Sequence, residues 1–197
     1  MITNKFKDLK PWSTIRNDTW RIFHDWANVE RIAKVLDQIS VHENILELGC
    51  GYGYLAGVLI KNRDPLWYVG VDIDPKAILS CNGMLTVNKL SGNNSFILGD
   101  AIKILNYAQK PSVVLCVETL EHVADYNSLI HTAFSFLDNT NRAIISVPRY
   151  NIMTKVKGHI NNFKNDFFPV LFEKNNFQLI NTQNVCNMWN SYTIKRH

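Results

Sequence analysis

Short apolar runs alternate with helix-like stretches along most of this 197-residue chain, and that alternation restricts the fold more than any other feature. Strand-like runs fall at Ile45–Leu48, Trp67–Val71, Phe96–Leu98, Val113–Val117 and Ala143–Val147. Helices are expected over Tyr54–Ile60, Pro75–Leu90, Ile102–Tyr107, Tyr126–Leu137 and Asp166–Lys174. Five such alternations predict an α/β fold in which a parallel sheet is wrapped on both faces by helices. The last segment, FQLINTQNVCNMWNSYTIKR, holds two strand-like runs with no helix between them, so a hairpin should carry an antiparallel strand into the sheet edge.

Ahead of the first strand, Ile22, Phe23, Trp26, Val29, Ile32, Ala33, Leu36 and Ile39 recur at three- and four-residue steps, which marks an amphipathic helix that Asn17 or Asp18 can cap. No repeat, low-complexity tract or linker divides the chain, so residues 1–197 are expected to form one domain, with 1–40 as a helical lid segment on a 41–197 core. A net charge of +4 is too mild to announce a nucleic-acid binder and permits acidic ligands without implying them. Cys50, Cys81, Cys116 and Cys186 are far apart and form no CxxC pair, which favours buried, reduced thiols. The start of the chain, MITNKFKDLKPW, lacks the apolar region of a signal peptide, and no run is long enough to span a membrane. A cytoplasmic location with no integral membrane segment is expected.

The first strand-like run ends in ILELGCGYGYL, where Gly49, Gly51 and Gly53 replace side chains at alternate positions. Ligands of open parallel sheets bind beyond the carboxyl ends of the strands. Glycine lets a ligand approach the main chain, and the amides opening the next helix favour electron-rich groups. GYGYLA also fits a dinucleotide fingerprint, a weak signal alone. Glu47 argues otherwise, because a carboxylate two residues before Gly49 suits an amino group better than a pyrophosphate. Asp72 can accept from ribose hydroxyls and Asp100 can meet an adenine amino group, so three acids at three strand ends suit a cationic, adenosine-containing ligand. Asp74, ahead of Pro75, reads as a helix cap.

With those residues in place, the chain resembles the class I S-adenosylmethionine-dependent methyltransferases. ILELGCGYGYL is similar to that family's first motif, VGVDIDPKAI to its second, FILGDAI to its third and VVLCVETLEHVAD to its fourth. The resemblance implies a Rossmann-like, seven-stranded, mostly parallel sheet with an antiparallel last strand. It further implies that Glu47, Gly49, Gly51 and Gly53 surround the methionine moiety of S-adenosylmethionine, that Asp72 binds the ribose and that Asp100 with Ala101 flanks the adenine. Cys50 and Ile73 complete this cofactor set within the same motifs, Cys50 more as filler than as chemistry, and Glu118 orders the cofactor from the fourth strand.

ETLEHV places Glu118, Glu121 and His122 within one turn after the fourth strand, and residues three and four apart share a helix face. Glu118, Glu121 and His122 can bind Mg²⁺, Mn²⁺ or Zn²⁺, His122 can instead act as a base without metal, or the group can be structural. An ExxEH stretch at this point resembles two groups within the family. The ubiquinone-biosynthesis O-methyltransferases act on catechol-type hydroxyls. The small-RNA terminal 2′-O-methyltransferases bind a divalent ion through both Glu and the His together with a later His, for which this chain offers His159 in KVKGHINNFKND. The short loop after the fifth strand departs from the first group, and an aromatic and acidic stretch after the second His is missing for the other.

Trp12, Trp20, Phe23 and Trp26, with Arg149, Tyr150, Met153, Lys155 and Lys157, are candidate cover for a methyl acceptor, although spacing makes most of the aromatics packing residues. These readings predict O-methylation of a small hydroxylated molecule. RNA terminal 2′-O-methylation, or a non-catalytic subunit that binds cofactor and supports a partner enzyme, are the alternatives.

Overall fold

A computed structural model describes residues 26–104, 109–151, 156 and 158–197. In chain order the elements are α1 (Trp26–Leu36), β1 (Asn44–Leu48), α2 (Tyr54–Arg63), β2 (Trp67–Asp72), α3 (Pro75–Val87), β3 (Asn94–Leu98), β4 (Val113–Val117), α4 (Tyr126–Ser135), β5 (Arg142–Pro148), α5 (Phe167–Lys174), β6 (Phe177–Val185) and β7 (Trp189–Arg196). Single 3₁₀ turns follow β3 at Ala101–Lys103 and β4 at Leu120–His122.

The strands form one seven-stranded sheet in the order β3-β2-β1-β4-β5-β7-β6. β1 through β5 pair in parallel, and β7 runs antiparallel to both β5 and β6. The expected hairpin is therefore present, but the antiparallel strand lies one position inside the edge, and β6 takes the edge itself. The order reverses between β1 and β4, which opens a crevice at their carboxyl ends.

The period of a strand sorts its residues between two cores. Leu46 and Leu48 of β1, with Val69, Val71, Val114, Cys116 and Ile145, pack under α4 and α5 through Leu129, Phe134, Phe168 and Phe172. Ile45, Tyr68, Val113, Leu115 and Ile144 face the other way, against Ile32, Val35 and Leu36 of α1 and Ala56, Val58 and Leu59 of α2. Trp67 and Tyr68 are thus core residues. The four cysteines are free thiols, three of them buried.

Two local expectations differ from the structure. The helix expected over Ile102–Tyr107 is a single turn at Ala101–Lys103, after which residues 105–108 lie outside the described set. There the Thr132 hydroxyl, from α4, lies 2.9 Å from the Ile102 carbonyl and 3.0 Å from the Ser128 carbonyl, to either of which it can donate. Glu118 was expected on one helix face with Glu121 and His122. Its backbone is instead left-handed, at φ 53°, so the turn begins after it and points its carboxylate elsewhere. The segment before Trp26 that should extend α1 lies outside the described residues.

Candidate active site

A cavity of about 770 Å³ lies beyond the carboxyl ends of β1, β2, β3 and β4. The glycine turn forms its floor. Gly49 sits at φ +81°, and a Cβ there would stand 2.3 Å from the Thr119 Cγ2 atom, so only a bare backbone lets the tip of β4 close on β1. Thr119 seals that contact by donating from its hydroxyl to the Leu48 carbonyl at 3.1 Å. At Gly51, φ is +52° and a Cβ would meet nothing within 4 Å, so bare main chain faces the cavity. Gly53 opens α2 and packs against Cys81 instead of facing the ligand space.

Asp72 ends β2 and holds the turn in shape. Its carboxylate accepts from the Gly51 amide at 2.8 Å and from the Asp74 amide at 2.9 Å while still lining the cavity. Asp74 caps α3 by accepting from the Lys76 amide at 2.9 Å, with Pro75 at the first helical position. Asp100 lines the far wall with Ala101 and Ile102, and its carboxylate accepts from the Ile102 amide at 3.0 Å. Ile73 also lines the cavity and is 73 % exposed.

Glu47 lies elsewhere. It is buried beneath the turn, takes the Tyr68 hydroxyl as a hydrogen-bond donor, and is not among the residues lining the cavity. Burial, with the negative charge of Asp72 added and the Tyr68 hydrogen bond opposing, pushes its carboxyl from 4.5 up to about 7. Cys50 is buried as well, and hydrogen bonding with Cys81 together with burial raises its thiol far above the ordinary range, so it packs without reacting.

The structure brings Glu121, His122 and His159 together. One ligand atom from each lies within 4.8 Å of the others. The rings of His122 and His159 meet edge to face, with centroids 4.7 Å apart. His122 Nδ1 donates to the Gly158 carbonyl at 2.9 Å, which fixes the ring. Asn161 ties the loop to the turn by donating to the Leu120 and Val123 carbonyls at 2.8 and 2.7 Å, while the Glu121 carbonyl accepts from the Ile160 amide. Glu121 is 1 % exposed, and neither of its carboxylate oxygens meets a hydrogen-bond donor among the described residues. Burial raises its carboxyl to about 7, with its own amide, His122 and Arg31 pulling the other way.

Glu118 lines the cavity but does not join that cluster. Arg31 Nη1, from α1, lies 3.1 Å from its Oε2, and the Ser146 hydroxyl donates to Oε1 at 3.1 Å. Sequence reasoning missed Arg31, Thr119, Ser146 and Tyr68. Arg31 alone left a trace, as a cation one step from Ile32 on the same helical stripe as Val35 and Asn28. Of the candidate cover, Arg149 donates to the Asn187 carbonyl at 3.4 Å and Tyr150 is exposed. Trp12, Trp20, Phe23, Met153, Lys155, Lys157 and the side chain of Trp26 lie outside the described residues.

Sheet order and a glycine turn beneath a cavity at the strand ends define a doubly wound α/β domain with a ligand site at its switch point. The family profile described as "Methyltransferase domain" matches residues 39–184, and the chain belongs to that family. A curated relative, norajmaline N-methyltransferase of Rauvolfia serpentina, is 28 % identical over 101 residues, 51 % of this chain and 34 % of that protein, so the match spans about a third of the relative's length. The N-methyltransferase NodS of Bradyrhizobium japonicum, solved with S-adenosyl-L-homocysteine, superposes with a TM-score of 0.73 at 16 % identity over 98 % of both chains. The small-RNA methyltransferase HEN1 superposes with a TM-score of 0.66 at 18 % identity over 85 % of this chain and 25 % of that one. Such structural likeness speaks to the fold. Residues 39–184 are thus a methyltransferase domain. No helix among the described residues is long and apolar enough to cross a membrane.

Proposed function

We propose that this enzyme methylates a hydroxyl oxygen of a small hydroxylated molecule and that Glu121, His122 and His159 hold a divalent cation beside that hydroxyl. The reading is carried by one observation: these three side chains converge around a buried carboxylate whose oxygens accept no hydrogen bond among the described residues. Leaving buried acceptors unmade is costly, and such groups call for a ligand or a catalytic role. Carboxylate and imidazole together suit Mn²⁺, Mg²⁺ or Zn²⁺.

S-adenosylmethionine supplies a methyl group on a sulfonium, and a bound cation lowers the pKa of a hydroxyl that it coordinates. The residues supply the rest. Gly51 and Gly49 present main chain, and Asp72 and Asp100 present acceptors, to the cofactor. That fixes the methyl carbon for in-line attack, where alignment contributes most of the rate. His122, its ring held by the Gly158 carbonyl through Nδ1, would offer Nε2 to that cation, and the proton of the acidified hydroxyl would leave to solvent.

A 3′-terminal ribose of RNA is the second reading, favoured by the approach of the later His159 to the Glu121–His122 pair. Radiolabel transfer from S-adenosylmethionine to a panel of catechols, sugars, nucleosides and short RNA, with Mn²⁺ or with EDTA, tests both. Mn²⁺-dependent label in a small hydroxyl compound supports the first, and label confined to RNA with a free 2′-hydroxyl supports the second. Transfer that is equal in EDTA removes the cation from the account.

A further inference from the structure

The polar cluster around Glu118 has no part in the reading above. Arg31 is 9 % exposed, pairs with Glu118 at 3.1 Å and lies with its guanidinium carbon 5.2 Å from the centre of the Trp189 ring. Its Nε is buried with no acceptor among the described residues. Burial, against the pull of Glu121, lowers the guanidinium only to about 10, so it stays charged. Ser146 of β5 takes the other carboxylate oxygen of Glu118, and the Glu118 amide donates to the Ser146 carbonyl at 3.0 Å. A non-glycine residue with φ 53° is held there by contacts from α1 and β5, with Arg31 itself packed on Trp189 of β7. Buried ion pairs contribute little to stability once their desolvation is counted, so this one calls for another reason.

The geometry supplies it. Glu118 lines the cofactor cavity, and Arg31 stands behind it. Cofactor and demethylated product differ by one methyl group and one positive charge. A carboxylate in the wall of the cavity attracts the sulfonium of the reactant and has no such hold on the neutral thioether. Methyl transfer disperses that charge, so an unbalanced carboxylate stabilises the ground state more than the transition state and slows the step.

We infer that Arg31 is a positioning residue that acts through Glu118: it holds the carboxylate at the cavity wall and offsets its charge, setting how strongly the enzyme prefers S-adenosylmethionine over S-adenosylhomocysteine. The inference rests on the cofactor alone and needs neither the cation nor the acceptor proposed above.

Calorimetric titration of both ligands in EDTA tests it, read as the ratio of the two dissociation constants, homocysteine form over methionine form. A structural role for the pair weakens both ligands together and leaves the ratio alone. A charge role moves the ratio in opposite directions in two variants. Arg31→Gln raises it, and Glu118→Gln lowers it, each by about threefold to tenfold for a charge several ångströms away in a partly desolvated site. Arg31→Lys keeps the charge and restores the wild-type ratio even where the planar fork is lost. If Arg31→Gln does not fold, Glu118→Gln and Arg31→Lys still decide between a shifted and an unshifted ratio. Ratios that stay constant, or move the same way in both Gln variants, overturn the inference. Failure of the wild type to bind either ligand overturns it together with the cofactor assignment, whereas cation-independent methyl transfer leaves it standing.

Discussion

Glu47→Gln should change how stability depends on pH. The Glu47 carboxyl sits at 2 % exposure under the glycine turn and is pushed from 4.5 up to about 7. The folded state therefore keeps a proton that the unfolded chain releases at lower pH. The stabilisation from this group is fully present below about pH 4.5 and is lost as pH rises through about 7. A shift of that size corresponds to about 3 kcal/mol, at roughly 1.4 kcal/mol for each tenfold change in proton affinity. The amide of Gln does not titrate, and its oxygen can still accept from the Tyr68 hydroxyl. Urea unfolding of both proteins from pH 4.5 to 8 checks this, because titrations common to both cancel in the difference. Wild-type stability should fall by about 3 kcal/mol relative to Glu47→Gln across that range. A difference that stays flat with pH would refute the idea that Glu47 is a buried, protonated acid.

The remaining expectations concern the turn and the cluster. Asp72→Ala removes the acceptor that shapes the turn through Gly51 and Asp74, and should weaken S-adenosylhomocysteine binding by about 1–3 kcal/mol in calorimetry. Gly49→Ala places a methyl group 2.3 Å from Thr119 Cγ2 on a left-handed backbone, and should cost about 2–5 kcal/mol in chemical denaturation. His122→Ala should leave cofactor affinity nearly intact while lowering turnover on the order of 10²-fold, as steady-state kinetics would record.

What was legible in the sequence, and what was not, follows from the range of the forces involved. Strands β1 to β5 were readable because each is a contiguous apolar run, and Asp74 with Pro75 was readable as a cap because a cap is local chemistry. The position of β7 inside the edge was hidden, since a hairpin pattern does not say which arm pairs with β5. The contact of the Ile102 carbonyl with the Thr132 hydroxyl was hidden because the two lie 30 residues apart. Within the site, Asp72, Asp100 and the glycines could be placed at strand ends by counting. Glu47 could not, because its side chain points into the core toward Tyr68, and no pattern in ILELGCG records that. Glu118 parted from Glu121 for a similar reason: the left-handed backbone that separates them is held by Arg31 and Ser146, both distant in sequence.

The account stands most directly on the ligand of the glycine turn. Titration of S-adenosylmethionine into the wild-type protein, with NAD as the comparison, should show one site for the sulfonium nucleoside, weakened in Asp72→Ala, and no heat with NAD. Saturable binding of NAD with none of S-adenosylmethionine would contradict it.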